Sequence, residues 1–312
     1  MNCIDDARVE FDISSVEKVF RTPKTVLQDV DAFWREETAY EMAVGWSPPG
    51  YPVHIGGFRE KVEELAKQPL EEREQNPYFR FAKTLTDSIT RIRSDGLSHI
   101  CSYLPRESKM VSTIYLACFI FLGKDEPQFV PSAFIYGGSS CLNVTSDQWG
   151  FNENRALNEI IHELYHNGYE THQIQCPLKD EMSTRPLFAH ILWQLHNEGM
   201  ATYVAYKAQH LFPKDNDEDY AMLENPSEVS RLLGNVKKLI RDASTELPTD
   251  VKEGVIQVGI SERAFYVAGA HMASIIEDKA GKNALIESVT KGPKHFLESY
   301  NAHVSSNEQI PL

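Results

Sequence analysis

The chain has 312 residues, 42% hydrophobic and 24% charged, the composition of a folded globular protein with material for one large core or two ordinary ones. Its formal net charge is −14, from 31 Lys+Arg against 45 Asp+Glu. That balance excludes a nucleic-acid binder, which needs a basic face, and docking on an anionic membrane. The longest apolar run, Ile114 to Leu122, is too short to span a bilayer.

Residues 1–20 carry Asp5, Asp6, Glu10 and Asp12 and lack the apolar stretch of a secretory signal. The five cysteines are odd in number and show no CxxC spacing. Free thiols and a cytoplasmic location are therefore expected.

Three helices are predicted in the first third. Residues 24–45 place Val26, Val30, Phe33, Trp34 and Met42 near a 3.6 period; 58–68 are amphipathic; 77–103 put Phe79, Phe81, Leu85, Ile89 and Ile92 on one stripe. After Pro105 the character changes. Residues 111–122 are β-branched and aromatic and read as a buried strand. Two further strands, 132–136 and 141–144, flank Gly137-Gly138-Ser139-Ser140 and suggest a hairpin. Helical periodicity returns over 154–168, 186–211, 226–243 and 261–280, with an acidic loop between Pro213 and Asn225. The order predicts a helix-rich α+β fold. A helical region, 1–108, precedes a second region, 109–312, that holds the small sheet and the later helices, and the two are readable as one continuous unit.

The chemistry sits at 162–166, His-Glu-Leu-Tyr-His. Histidines four apart on a helix project from one face and can share a zinc ion; the intervening Glu163 can serve as a general base toward water. Leu157, Ile160 and Ile161 make this a largely buried helix, where unpartnered polar groups are expensive. Zinc needs a third protein ligand.

Two residues qualify. Glu198 lies in Asn197-Glu198-Gly199-Met200-Ala201-Thr202-Tyr203, on the next strong helix. With this segment the chain resembles the gluzincin clan of zinc metallopeptidases, in which a following helix supplies a glutamate ligand. It is similar to the bacterial zinc-dependent peptidases of that clan rather than to thermolysin, since Thr202 stands where thermolysin-like members carry an acid. The alternative is His172, at the metzincin spacing HExxHxxGxxH. Position 169, where metzincins need glycine to turn the chain, is Tyr169, and this favours Glu198.

The resemblance implies a zincin-like domain: a small antiparallel or mixed sheet over 111–145, the active-site helix over 154–168, and a helical remainder. It also implies an edge strand, 139–145, that pairs with extended substrate. Residues 263–273 match the C-terminal helix of the same peptidases in Tyr266, Gly269, Met272 and Ala273. Tyr266 is the expected oxyanion-stabilising residue, with His271 and Arg263 behind it. The implied activity is zinc-dependent cleavage of a peptide or protein substrate. His162, His166 and Glu198 would be ligands, with Glu163 and Tyr266 catalytic. A zinc-containing binding or regulatory protein is the other class, and the intact Glu163 speaks against it.

Overall fold

The computed structural model describes residues 3, 7–47, 51–122, 131–173, 184–245 and 254–312. The chain forms two compact units. One comprises Asp6–Leu97 and Met110–Asn167; the other comprises Met1–Asp5, Ser98–Lys109 and Gly168–Leu312.

The first unit contains the sheet. Its four strands, β1 (Arg8–Asp12), β2 (Val111–Ala117), β3 (Ala133–Tyr136) and β4 (Ser139–Asn143), lie in the order β1-β2-β4-β3. β1 runs parallel to β2 with Arg8 opposite Val111, and β2 runs parallel to β4 with Ile114 opposite Ser140. β3 and β4 form the expected hairpin, antiparallel, closed by Gly137 and Gly138, both at positive φ. Two successive left-handed residues match the twist of the strands they join, and glycine adopts that conformation without strain. The helix-rich α+β expectation holds, with a small mixed sheet.

Several details of this unit differ from the sequence reading. β1 was not expected; its outward Arg8 and Glu10 are the charges an edge strand carries, and they hide a short strand from a hydrophobicity pattern. The segment 139–145 is not an edge: β4 is paired on both sides, and β3 and β1 hold the edges. The predicted strand 111–122 ends at Ala117, because Phe119 takes a left-handed φ of 58°. The predicted helix 24–45 is three helices, Pro23–Val26, Val30–Glu36 and Thr38–Trp46. Asp29 starts the second by accepting the Ala32 amide at 2.8 Å, and the extended Glu37 separates it from the third.

These helices pack on the sheet through an aromatic cluster. Trp34, Tyr40 and Phe58 are buried, with ring centroids 4.5–5.3 Å apart in edge-to-face arrangements. The Tyr40 hydroxyl donates to the Cys118 carbonyl at 2.9 Å and so fastens the cluster to the end of β2.

The second unit is helical: α2 (Thr184–Lys207), α3 (Glu218–Leu223), α4 (Pro226–Thr245), α5 (Ala264–Ala280), α6 (Lys282–Lys291) and α7 (Pro293–Asn301). The helix that carries His162, α1 (Glu153–Glu170), precedes them in the chain. α2 and α5 pack along their length at a crossing of two glycines. A Cβ on Gly199 would lie 2.4 Å from the Gly269 Cα, and one on Gly269 would lie 2.3 Å from the Leu195 carbonyl oxygen. The obstacles are backbone atoms, which cannot rotate away. α3 falls inside the stretch read as an acidic loop, where Asp217 caps it by accepting the Tyr220 amide at 3.0 Å.

Cys3 and Cys101, 98 positions apart, form a disulfide in this unit. The free-thiol expectation fails for them and holds for the buried Cys118 and Cys141; Cys176 lies outside the described residues. Spacing could not reveal a pair that only the fold brings together. Among the described residues no helix is long and apolar enough to cross a membrane.

Candidate metal centre

α1 begins where Asn152 accepts the Arg155 amide at 3.2 Å, a side-chain cap for one of the free N–H groups of the first turn. In the same turn Glu153 accepts from Ser88 at 2.7 Å and from Arg91 at 2.5 Å. Near its other end Asn167 donates to Ser112 Oγ on β2 at 2.9 Å and to Ser140 Oγ on β4 at 3.3 Å, a buried polar tie between helix and sheet. Glu163 lies one turn before Asn167 and is 7% exposed. It is near enough to Cys141 on β4 to push that thiol's pKa up, second to burial itself. The 163/167 face of α1 therefore meets the sheet.

The neighbouring face carries His162 and His166. Their Nε2 atoms are 3.0 Å apart, with ring centroids at 4.8 Å. Two imidazole nitrogens on one tetrahedral zinc, each about 2.0–2.1 Å from it, stand about 3.3 Å from one another. The pair is thus set at nearly the separation that sharing an ion demands.

Glu198 is on α2, immediately before Gly199, and Tyr266 is one turn before Gly269 on α5. The glycine crossing therefore fixes the helix positions that carry both residues. Arg263, the residue before α5, has a left-handed backbone, φ 63° and ψ 22°, which costs a non-glycine residue about 1–2 kcal/mol. Its guanidinium carbon lies over the Tyr266 ring, 3.3 Å from the centroid. Its Nε and Nη2 donate to Asp219 of α3 at 2.9 and 2.6 Å. Removal from water pulls the guanidinium pKa down; Tyr266, Asp219 and Glu198 more than reverse this, and the net shift is upward.

One ligand atom from each of His162, His166 and Glu198 lies within 4.8 Å of the other two. It is the metal-competent cluster found among the described residues. Two imidazoles and one carboxylate are a donor set that suits zinc and leaves a coordination position open. The donor chemistry fits the ion.

The family model described as "Putative zinc dependent peptidase (DUF5700)" matches residues 72–309. The chain belongs to this family. No curated protein and no solved structure matches it. The family's description names a zinc-dependent peptidase, and the His/His/Glu cluster is a group that could hold a metal ion.

His172 is outside the cluster; its Nε2 is hydrogen-bonded to Ser108 Oγ at 2.8 Å, and burial lowers its pKa. His271 is five residues beyond Tyr266 on α5, about 140° around the helix, and its ring centroid is 6.5 Å from that of Tyr300. His196 is fully buried two residues from Glu198. Ser288 Oγ donates to the Leu285 carbonyl at 2.6 Å, so it accepts from His196 Nε2 at 3.1 Å; His196 Nδ1 then accepts from the Tyr169 hydroxyl at 2.9 Å. All three groups are satisfied with the imidazole neutral. Burial, then the charge of His295, depresses its pKa to about 3.

Two elements of the site were missed in the sequence. Asp219 read as part of a solvated acidic stretch, yet it pairs with a residue 44 positions away. Asn167 directly follows His166, but its partners sit on strands 55 and 27 residues earlier. Neither pairing leaves a local pattern.

Proposed function

We propose that the chain is a zinc-dependent peptidase of the gluzincin type, with His162, His166 and Glu198 as the protein ligands. The observation that carries this reading is the grouping of Glu198, rather than His172, with the two histidines. Bound there, zinc supplies Lewis acidity toward a water molecule and an amide carbonyl. Glu163, held between the histidines and the sheet, takes the proton from the attacking water and delivers it to the leaving amine. Tyr266 donates a hydrogen bond to the carbonyl oxygen as that atom gains negative charge. A Glu beside two ligands has no use in a purely structural zinc site, and this weighs for catalysis over a binding role.

The test uses purified protein loaded with zinc, desalted, and assayed for metal and for cleavage of a quenched fluorescent peptide library. One zinc per chain and peptide turnover are expected. Glu163→Gln should keep the zinc and lose turnover, because that side chain is not a ligand. Wild-type protein that retains no zinc would refute the metal centre. Undiminished turnover in Glu163→Gln would refute the role of the base.

A further inference from the structure

We infer that Asp219 and Arg263 are positioning residues for Tyr266: Asp219 grips the Arg263 guanidinium, and the guanidinium holds the tyrosine ring from its face. The inference rests on the peptidase reading only for what the tyrosine is being held to do. Three observations carry it. The first is the backbone of Arg263, a left-handed conformation that persists in a non-glycine residue when its surroundings over-determine it. The second is the fork to Asp219, in which Nε reaches Oδ1 at 2.9 Å and Nη2 reaches Oδ2 at 2.6 Å. Two parallel charge-assisted bonds fix both the place and the plane of a guanidinium, which a single bond to lysine cannot do. The third is the 3.3 Å approach of the guanidinium carbon to the Tyr266 ring centroid, the closest cation–ring approach among the described residues.

The connections run in one direction. Asp219 belongs to α3, whose first turn is organised by the Asp217 cap and by the Lys214–Asp217 ion pair at 2.9 Å. α3 packs on α5, and Tyr220 beside Asp219 is buried. The acid therefore comes from an anchored turn and not from a free loop. Arg263 and Tyr266 are three apart, so a guanidinium at the start of α5 reaches the ring one turn ahead. A tyrosine that must donate to a short-lived oxyanion gains from a fixed ring, since a freely turning phenol is seldom aimed at the developing charge. The positive charge on the ring face also withdraws electron density from the phenol, which makes its O–H a stronger donor.

The experiment has two arms. In the first, the zinc-loaded protein is labelled with ring-13C tyrosine, and Tyr266→Phe identifies the Tyr266 signal. Arg263→Met and Asp219→Asn should both shift that signal and leave the other tyrosines in place, with Arg263→Lys between them and wild type. In the second, turnover of the fluorescent peptides is measured. Arg263→Met should lower kcat by about 100-fold, near the loss in Tyr266→Phe, and Asp219→Asn by roughly tenfold, with KM within about twofold in each. The Arg263→Met/Tyr266→Phe double variant should be no worse than Tyr266→Phe alone, because a residue that acts through Tyr266 has nothing left to lose. An unmoved Tyr266 signal in Arg263→Met and Asp219→Asn overturns the inference, and so does a multiplied loss in the double variant. If Arg263→Met does not fold, Asp219→Asn and Arg263→Lys carry both arms. If wild type cleaves no peptide, the peptidase reading falls, while the tyrosine signal still decides whether the clamp exists.

Discussion

His162 and His166 are held by a helix on a sheet; Glu198 and Tyr266 are held by a helix on a helix. α1 is tied by side-chain hydrogen bonds, at Asn152 and Glu153 in its first turn and at Asn167 near its end. The crossing of α2 and α5 is fixed by the absence of side chains at Gly199 and Gly269, while the start of α5 is tied to α3 by the Arg263–Asp219 ion pair, with Arg263 in a left-handed conformation. Directional bonds set a helix's rotation and tolerate small shifts in its distance. A glycine crossing sets distance through hard backbone contact and tolerates none. The two constructions should therefore fail differently under mutation.

The largest effect is expected on zinc itself. His162→Ala, His166→Ala and Glu198→Ala should each weaken zinc binding by orders of magnitude, whereas His172→Ala should stay within roughly tenfold of wild type, the scale of a change outside the ligand set. Competitive zinc titration reads this, with circular dichroism to confirm that each variant is folded. Loss of the metal in His172→Ala with retention in Glu198→Ala would reverse the ligand assignment.

The covalent tie in the helical unit comes next. Closing a loop of 98 residues by Cys3–Cys101 stabilises the fold by about 4.7 kcal/mol in the chain-entropy account. Cys3→Ser should lower the midpoint of urea unfolding accordingly, and reductant should then have no further effect. Equal midpoints for wild type and variant without reductant would show that the thiols are not joined in solution. Such a bond persists in oxidising compartments and is rare in the cytoplasm, so its presence in protein taken directly from cells bears on where the chain resides.

Alanine at Gly199 or Gly269 should cost about 3 kcal/mol, the range of an overpacked core that cannot relax. Asn167→Ala should cost about 1–2 kcal/mol, the value of a buried hydrogen bond and its orphaned partners. The informative quantity is the metal site's response. A separated crossing moves Glu198, so the glycine variants should lose zinc affinity beyond their loss of stability. Asn167→Ala should lose stability first. If Gly199→Ala binds zinc as wild type does, hard contact at the crossing does not position the glutamate.

The same contrast explains what was legible in the sequence. His162 and His166 declare themselves because their geometry is a property of one helix: four residues apart is one face, wherever the helix lies. The Gly137-Gly138 hairpin and the extent of α1 were readable for the same reason; α2 was readable as a helix, but it runs Thr184–Lys207 and not 186–211. Glu198 needed the resemblance to a family, since nothing within α2 distinguishes it from a solvated glutamate. β1 was hidden because its partners begin about 100 residues later and its charges mask its period. Asp219 and the Cys3–Cys101 pair were invisible on principle, since each is a meeting of distant segments. The interruption at Glu37 was missed for another reason: local backbone choices compete there at energies smaller than any hydrophobic pattern can resolve.

The smallest effect at working pH, and the one that isolates a single residue, concerns His196. Its folded pKa is about 3, against about 6.5 for an exposed histidine. Between these values the unfolded chain binds a proton that the folded chain refuses. Stability is therefore fully present above about pH 6.5 and falls as the pH drops toward 3, by about 1.4 kcal/mol per pH unit once the unfolded histidine is charged. His99, His172 and His271 are shifted in the same direction by burial, so the acid slope of the wild type sums several groups. His196→Gln separates one of them, because glutamine can still accept from Tyr169 and does not titrate. Urea unfolding at pH 7.5, 6.5 and 5.5 should give two lines that converge as the pH falls, with the variant less stable at pH 7.5 and its slope shallower. Parallel lines would mean that His196 takes up its proton in the folded state, and the buried bond from Tyr169 to a neutral imidazole could not then be present.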